Sequence, residues 1–111
     1  LLQKGENARI VNISSGAATL TEKNDSRRYC YGPSKTALNM FTRTLANELK
    51  AEGIVVAAIS PGWVRTEMGG EDADLSVEDS TTAMAETIAN LSMERSGEFL
   101  DRFGKSDSYK W

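Results

Sequence analysis

The sequence predicts an α/β fold in which a parallel sheet of about three strands packs against two main helices. Two short runs rich in Ile, Val and Ala, at 8–14 and 54–60, are typical of buried strands. A helical pattern at about 30–52 lies between them, and strand, helix and strand in this order form a βαβ unit with a right-handed crossover. The length of 111 residues suits a single domain, and we find no internal repeat.

The first predicted elements are a helix end and a strand. Residues 1–4 resemble the last turn of a helix that ends at Gly5, so we expect the sequence to start inside a domain. The strand at 8–14 leads into a loop over 15–28. The stretch 21–28 of this loop has no apolar residue that could be buried in a core, which indicates a surface loop.

The long helix begins at about Cys30 and ends before Gly53, a typical stop residue. Pro33 is compatible with it because Pro33 lies in the first turn. Apolar residues at steps of three, four and four form a stripe along this helix: Leu38, Phe41, Leu45 and Leu49.

The second half of the chain predicts a loop, a helix and a short strand. A Pro-Gly pair ends the strand at 54–60 and opens a loop to about residue 75. Residues 76–79 resemble a capping box for a helix that reaches about residue 91. The expected buried side of this helix consists of Val77, Met84, Ile88 and Leu91. Residues 97–103 alternate well enough for a last strand, and a tail follows.

The composition is that of an ordinary globular protein, and it narrows the chemistry. The formal net charge of -3 gives no reason to expect nucleic acid as a partner. No apolar run approaches the roughly 20 residues that span a bilayer, and the first residues do not form a signal peptide, so we expect no membrane partner and a cytoplasmic location. Without His and with one Cys, we expect no metal site and no internal disulfide. Catalysis must come from Ser, Thr, Tyr, Lys, Arg, Asp or Glu.

A Tyr and a Lys four residues apart are the strongest chemical signal. Tyr31 and Lys35 share one face at the start of the long helix, so the phenol and the ammonium can project into one site. A nearby cation and the positive end of a helix both favour a phenolate, which would let Tyr31 act as a general acid/base without a His. Taken alone the pair is a weak signal, since an exposed Tyr beside a solvated Lys is common.

Two further motifs are predicted to meet this helix start at the carboxyl edge of the sheet. The motif NISSG at 12–16 brings the hydroxyls of Ser14 and Ser15 to the end of the first strand, and PGWVRT at 61–66 follows the second. Open α/β sheets bind their ligands at this edge. The alternative is purely local structure, with the serines as caps and the Pro-Gly pair as a turn.

Together with YGPSK at 31–35, these motifs resemble those of the short-chain dehydrogenases/reductases. The resemblance covers 8–70 firmly, and the stretches 61–70 and 97–105 are most similar to C-factor and the sniffer-type carbonyl reductases. It implies a Rossmann-like doubly wound parallel sheet, of which this chain would be the C-terminal, catalytic half. The implied activity is hydride transfer between NAD(P)(H) and a small carbonyl or alcohol substrate, with carbonyl reduction favoured.

The resemblance also implies a role for each candidate residue. Tyr31 would protonate the carbonyl oxygen, while Lys35 would favour its phenolate and hydrogen-bond the nicotinamide ribose. Ser15 would hydrogen-bond the substrate oxygen, with Ser14 as the alternative. The other implied cofactor contacts are Pro61, Gly62, the backbone of Val64 and the hydroxyl of Thr66. The cofactor would be NADP or NAD, with NADP slightly favoured.

The sequence departs from the family pattern in two places. Family members of this type bind the dinucleotide through a glycine-rich turn, and the nine glycines here form no such fingerprint. The N-terminal, dinucleotide-binding half is therefore expected to be absent from this sequence. The interval from Ser15 to Tyr31 is 16 residues, longer than is common, and the added length at 21–28 is either a surface insertion or a segment that bends over the pocket.

Three functions stay open at this stage. The leading hypothesis is an NAD(P)-dependent reductase in its full-length form, with the isolated 111 residues inactive. The alternatives are a C-factor-like signalling protein on the same fold and an inactive truncated fragment. Oligomers are common in the family, and the helix face over 36–50 suits either a homo-oligomer contact or the core.

Overall fold

The computed structural model describes residues 1–21, 23 and 29–109. Most of the polar stretch 21–28 therefore lies outside the described residues. A 3-10 turn at Leu2–Lys4 ends at Gly5. The main elements in chain order are β1 (Arg9–Ile13), α1 (Tyr31–Leu49), β2 (Val55–Ile59), α2 (Val77–Ala89) and β3 (Phe99–Leu100). The predicted order of strands and helices is confirmed.

The three strands form one parallel sheet in the order β1-β2-β3. β2 lies in the centre, and all five of its residues are buried, which explains its uninterrupted apolar sequence. Arg9 is in register with Val55 and Ile13 with Ile59, so β1 and β2 end at the same edge of the sheet. The loops that follow them are thereby brought side by side.

The core lies on both faces of β2, because alternate strand residues point to opposite sides. The cluster that includes α2 comprises Val55, Ala57, Ile59, Leu91 and Leu100, bordered by Val11, Met84 and Ile88. The cluster that includes α1 comprises Ala46, Ile54 and Val56, bordered by Ala8, Ile10, Leu45 and Leu49. Helices thus cover both faces of a parallel sheet, as the expected fold class requires.

α1 buries a narrower and more polar face than its leucine stripe predicts. Its buried residues are Gly32, Asn39, Thr42 and Ala46. Leu45 and Leu49 border the core, but Phe41 is 56% exposed, so the stripe is a core face only in part. Hydropathy alone would place Thr42 on the surface. Its buried hydroxyl is satisfied because it accepts a hydrogen bond from Nδ2 of Asn12 at 2.9 Å.

Two predictions near the end of the chain are wrong in detail. Val77, expected on the buried side of α2, is exposed because it is the first residue of the helix, beyond the sheet. The strand predicted over 97–103 is reduced to Phe99–Leu100. Asp101 turns the chain there, since its Oδ1 accepts from the backbone N–H groups of Phe103 and Lys105.

Candidate active site

An open cavity of about 930 Å³ lies at the carboxyl edge of the sheet, where β1 and β2 end. The helix start, the loop after β1 and the loop after β2 all contribute to its wall. The lining residues that belong to the three sequence motifs are Ser15, Gly16, Tyr31, Pro61, Gly62, Trp63, Val64 and Thr66. The three motifs of the resemblance therefore surround one cavity.

Tyr31 lines the cavity as the first residue of α1, and Lys35 lies one turn further on. The Lys35 ammonium is 5.8 Å from the centroid of the Tyr31 ring. It also donates a 3.0 Å hydrogen bond to the carbonyl oxygen of Ile13. Lys35 does not itself line the cavity, so its cation is held between the end of β1 and the Tyr31 ring.

The two serines after β1 lie in different environments. The hydroxyl of Ser14 is buried and donates to Oδ1 of Asn39 at 2.7 Å. Ser15 lines the cavity, where its Oγ accepts from the N–H of Ala17 at 3.2 Å and caps a 3-10 turn. A hydroxyl that accepts in this way still has its own hydrogen to donate to a ligand.

Ser60, which directly precedes the motif at 61–66 and was predicted to have no role of its own, joins the two loops. It is buried at the end of β2 and lines the cavity. Its Oγ accepts from the N–H of Gly16 at 3.2 Å and from the N–H of Gly62 at 3.4 Å. A small polar residue directly after a buried strand was the only sequence signal for this role.

The loop after β2 is shaped by a single parallel bridge between Val64 and Leu75. The N–H of Arg65 donates to Leu75, and the N–H of Leu75 donates to Trp63. Leu75 is thus bonded to the residues before and after Val64, and not to Val64 itself. In a parallel bridge of this kind the N–H and C=O groups of Val64 point away from Leu75. That N–H is a candidate donor to a bound ligand.

The rest of this loop is a compact turn. The hydroxyl of Thr66 accepts from the N–H of Gly69 at 3.1 Å and donates to the carbonyl of Val64 at 3.4 Å. Nε1 of Trp63 donates to the carbonyl of Gly69 at 2.8 Å. Gly69 approaches the Val64 oxygen so closely that no Cβ would fit. Thr66 therefore orders the loop that presents Val64.

Several cavity residues were not predicted from sequence. They are Ala17, Ser60, Val77, Ser80, Thr81, Met84 and Tyr109. Ser80 joins α2 to the loop, because its buried hydroxyl donates to the carbonyl of Pro61 at 2.8 Å. The available signal was the capping box of α2, which places a helix start after the second strand.

The chain after β3 returns to the cavity because Asp101 anchors it. Its Oδ2 accepts from the hydroxyl of Ser108 at 2.6 Å. Burial alone would raise the pKa of the Asp101 carboxyl, but the hydrogen bonds from Ser108, Lys105 and Phe103, with the charge of Lys105, outweigh burial. The pKa therefore lies below its ordinary value of 3.8.

Neither a metal cluster nor a membrane span is found in the described part of the chain. No three His, Cys, Asp or Glu side chains within 1–21, 23 and 29–109 are grouped to hold a metal ion. No helix over the same residues is both long and apolar enough to cross a bilayer.

A family model described as short chain dehydrogenase matches residues 1–76. The chain is 40% identical over 103 residues to the C-signal of Myxococcus xanthus, covering 93% of this chain and 62% of that protein. It is 34% identical over 105 residues to the uncharacterized oxidoreductase C663.08c of Schizosaccharomyces pombe, covering 95% of this chain and 35% of that protein. The chain thus spans less than two thirds of these relatives.

Solved structures show the same similarity. The carbonyl reductase Sniffer of D. melanogaster has a TM-score of 0.89 and 36% identity, covering 94% of this chain and 41% of that chain. The NADPH-bound carbonyl reductase from chicken fatty liver has a TM-score of 0.83 and 35% identity, and the match covers 99% of this chain and 46% of that chain. The described fold therefore corresponds to less than half of each of these proteins.

Proposed function

The chain belongs to the short-chain dehydrogenase family, and we propose that the protein containing it is an NAD(P)-dependent oxidoreductase that reduces a small carbonyl substrate. The resemblance to C-factor and the sniffer-type reductases expected from the sequence is confirmed. The observation that carries the proposal is the shared cavity of Ser15 and Tyr31, with the Lys35 ammonium beside the Tyr31 ring.

The proposed chemistry divides the proton and the hydride between protein and cofactor. When bound, the nicotinamide would supply the hydride to the carbonyl carbon. Negative charge then develops on the carbonyl oxygen, and the Tyr31 hydroxyl donates its proton there to complete the alcohol. The Lys35 ammonium, held by the Ile13 carbonyl, stabilises the phenolate that remains.

Ser15 is the proposed hydrogen-bond donor to the substrate oxygen. It lines the cavity, whereas the hydroxyl of Ser14 is buried and donates to Asn39. A donor positioned in advance stabilises the developing charge without reorganising during the reaction. The environments of the two hydroxyls thus favour Ser15 for this role.

The cavity residues fit the nicotinamide end of the cofactor. Gly62 has φ 83, and a Cβ there would be 2.6 Å from Leu75, so this turn in the cavity wall requires glycine. The N–H of Val64 suits a carboxamide oxygen, and Pro61 lines the cavity beside it. Thr66 would hold this loop, and Tyr31 would contact the ribose. A ribose contact of Lys35 stays a prediction, because Lys35 does not line the cavity. We propose NADP, which is favoured by the NADPH in the chicken reductase structure.

We further propose that the chain is the C-terminal, catalytic part of one longer domain. The 62% coverage of the C-signal and the 41% coverage of Sniffer support the view that the chain is part of a longer protein. Among the described residues β1 pairs with β2 alone, which leaves one edge of β1 for a further strand. The adenosine end of the cofactor would bind residues outside the present sequence.

A second candidate function is signalling on the same fold. It is favoured by the 40% identity to the C-signal of Myxococcus xanthus. The presence of Ser15, Tyr31 and Lys35 favours retained chemistry but is compatible with both functions. The cytoplasmic location and a homo-oligomer stay predictions.

The replacement Tyr31→Phe in the full-length protein tests the proposed reaction. We expect the kcat for NADPH-dependent reduction across a panel of small aldehydes and ketones to fall about 100-fold or more, because the proton donor is lost. The Tm should be unchanged. Tyr29→Phe is the matched control, since Tyr29 is 81% exposed and does not line the cavity.

Retention of the wild-type kcat by Tyr31→Phe would remove Tyr31 from the proposed reaction. If the protein signals, comparing its signalling activity in the same two variants separates the candidate functions. Signalling that survives in Tyr31→Phe does not depend on the proton transfer.

A further inference from the structure

We propose that Tyr109 is a specificity-determining residue whose ring favours substrates with a flat, apolar group next to the carbonyl. This inference deepens the proposed carbonyl reduction and rests on it. Sequence patterning assigns Tyr109 to a tail, but the structure places it in the cavity wall with Ser15, Gly16 and Tyr31.

The Tyr109 ring is supported from behind by the core. It stacks on Phe99, with ring centroids 5.1 Å apart and an interplanar angle of 20°. Phe99 is only 2% exposed and belongs to a cluster with Ala18 and Ala58. The Tyr109 ring therefore extends a rigid apolar cluster to the cavity surface.

The ring also fits closely against the residue that follows Ser15. A Cβ at Gly16 would be 2.7 Å from Cε1 of Tyr109, and its three nearest neighbours would all be atoms of this ring. Since Ser15 is the proposed donor to the carbonyl oxygen, a group next to that carbonyl would lie near the ring.

The backbone before Tyr109 is fixed by Asp101. The Asp101 side chain is bound to Ser108 at 2.6 Å and to the backbone N–H groups of Phe103 and Lys105. Asp101 is 8% exposed, so these bonds are largely shielded from water. A wall ordered before the substrate arrives loses little conformational entropy on binding.

The remaining cavity wall is also suited to an apolar substrate group. Its larger apolar members are Trp63, Val64, Met68, Val77 and Met84. Methionine thioethers and aromatic rings both make favourable contacts with aromatic groups. The cavity thus combines polar groups at Ser15 and Tyr31 with an apolar surface that includes Tyr109.

Two probe aldehydes of different shape test this role in the full-length protein. Tyr109→Ala should raise the KM for benzaldehyde about fivefold and leave the KM for butanal within about twofold, because only the flat ring of benzaldehyde can stack. The kcat should change little for either aldehyde. Tyr109→Phe should keep the wild-type KM ratio, since the ring and not the hydroxyl makes the contact.

A second set of variants tests the contact without relying on activity. Gly16 does not have a positive φ, so Gly16→Ala is opposed by the Tyr109 ring and not by the backbone. Gly16→Ala should lower the Tm in the wild-type background and have no further effect in Tyr109→Ala. Gly5→Ala is the control, because its Cβ would meet only the Leu2 oxygen at 3.4 Å.

The outcomes separate this inference from the proposed function. If the wild-type protein reduces no carbonyl compound, the proposed function and the specificity role are both overturned. The unfolding experiment would still report the contact between Gly16 and Tyr109. An active enzyme whose benzaldehyde-to-butanal KM ratio is the same in Tyr109→Ala would overturn the specificity role alone. Additive Tm changes for Gly16→Ala and Tyr109→Ala would also contradict it.

Discussion

Ser14 and Ser15 show how one step along the chain changes the use of a hydroxyl. At the end of a strand, successive side chains point to opposite sides. Ser14 is buried against α1 and donates to Asn39, whereas Ser15 lies in the cavity wall. Ser14 should therefore contribute mainly to stability, and Ser15 mainly to activity.

We expect Ser15→Ala to lower kcat about 100-fold, because a donor to the substrate oxygen is lost. Its free energy of unfolding should fall by only about 0.5–1 kcal/mol, because the cap on the Ala17 N–H is lost as well. Ser14→Ala should instead lower the free energy of unfolding by about 1–3 kcal/mol, since Asn39 loses its buried partner. Steady-state kinetics and urea unfolding of both variants measure the two effects. A larger loss of kcat in Ser14→Ala would reverse the proposed assignment.

At the level of elements, the turn after β3 decides where the last part of the chain lies. The Asp101 carboxylate accepts from two backbone N–H groups and from Ser108, and these bonds direct the chain toward the cavity. The same bonds stabilise the charged form of Asp101, which is why its pKa is lowered despite burial. The turn therefore links the stability of the tail to pH.

Asp101→Asn tests this link. A lowered pKa in the folded protein means that the carboxylate stabilises the fold above 3.8 and that this contribution is lost as the pH falls through the lowered pKa. The variant should be about 1–3 kcal/mol less stable at neutral pH, because it loses charge-assisted hydrogen bonds. Urea unfolding across the acidic range should show this difference shrinking below pH 3.8.

Asp107→Asn provides the control for that experiment. Asp107 is exposed and lies in the same tail, so its replacement should change stability little at any pH. A stability difference between wild type and Asp101→Asn that stays constant with pH would contradict the proposed role of the carboxylate.

At the scale of the whole molecule, β2 organises both the core and the cavity. It is the central strand, and both hydrophobic clusters that include the helices contain its residues. Its carboxyl end delivers Ser60 and the Val64 loop to the cavity. Rigidity at the site therefore depends on the most buried part of the sheet.

The amides of Val55–Ile59 should be the slowest to exchange with solvent within the described residues. They belong to a strand that is paired on both sides and fully buried, so their exchange requires opening of the sheet. Hydrogen exchange of the full-length protein, followed by mass spectrometry, measures this. Equally fast exchange of β2 and of α2 would show that the sheet does not form one cooperative core.

Much of this architecture could be predicted from local sequence. Short runs rich in Ile, Val and Ala located β1 and β2, and Gly53 and the capping box at Ser76 marked helix boundaries. The motif spacing also identified residues that line the cavity. Val77 was misjudged because helical periodicity does not show that the first residue of α2 is exposed. The stripe with Phe41, which suited the core or an oligomer contact, is a core face only in part.

The sequence by itself determined the family, the βαβ order and the residue types available for a reaction without His, because each depends on neighbours along the chain. Only the tertiary structure decided which serine lines the cavity, how Ser60 joins two loops and where Tyr109 lies. These features depend on contacts between residues far apart in sequence. The local pattern of apolar and polar residues does not predict such contacts, since they form only when the sheet and its loops pack together.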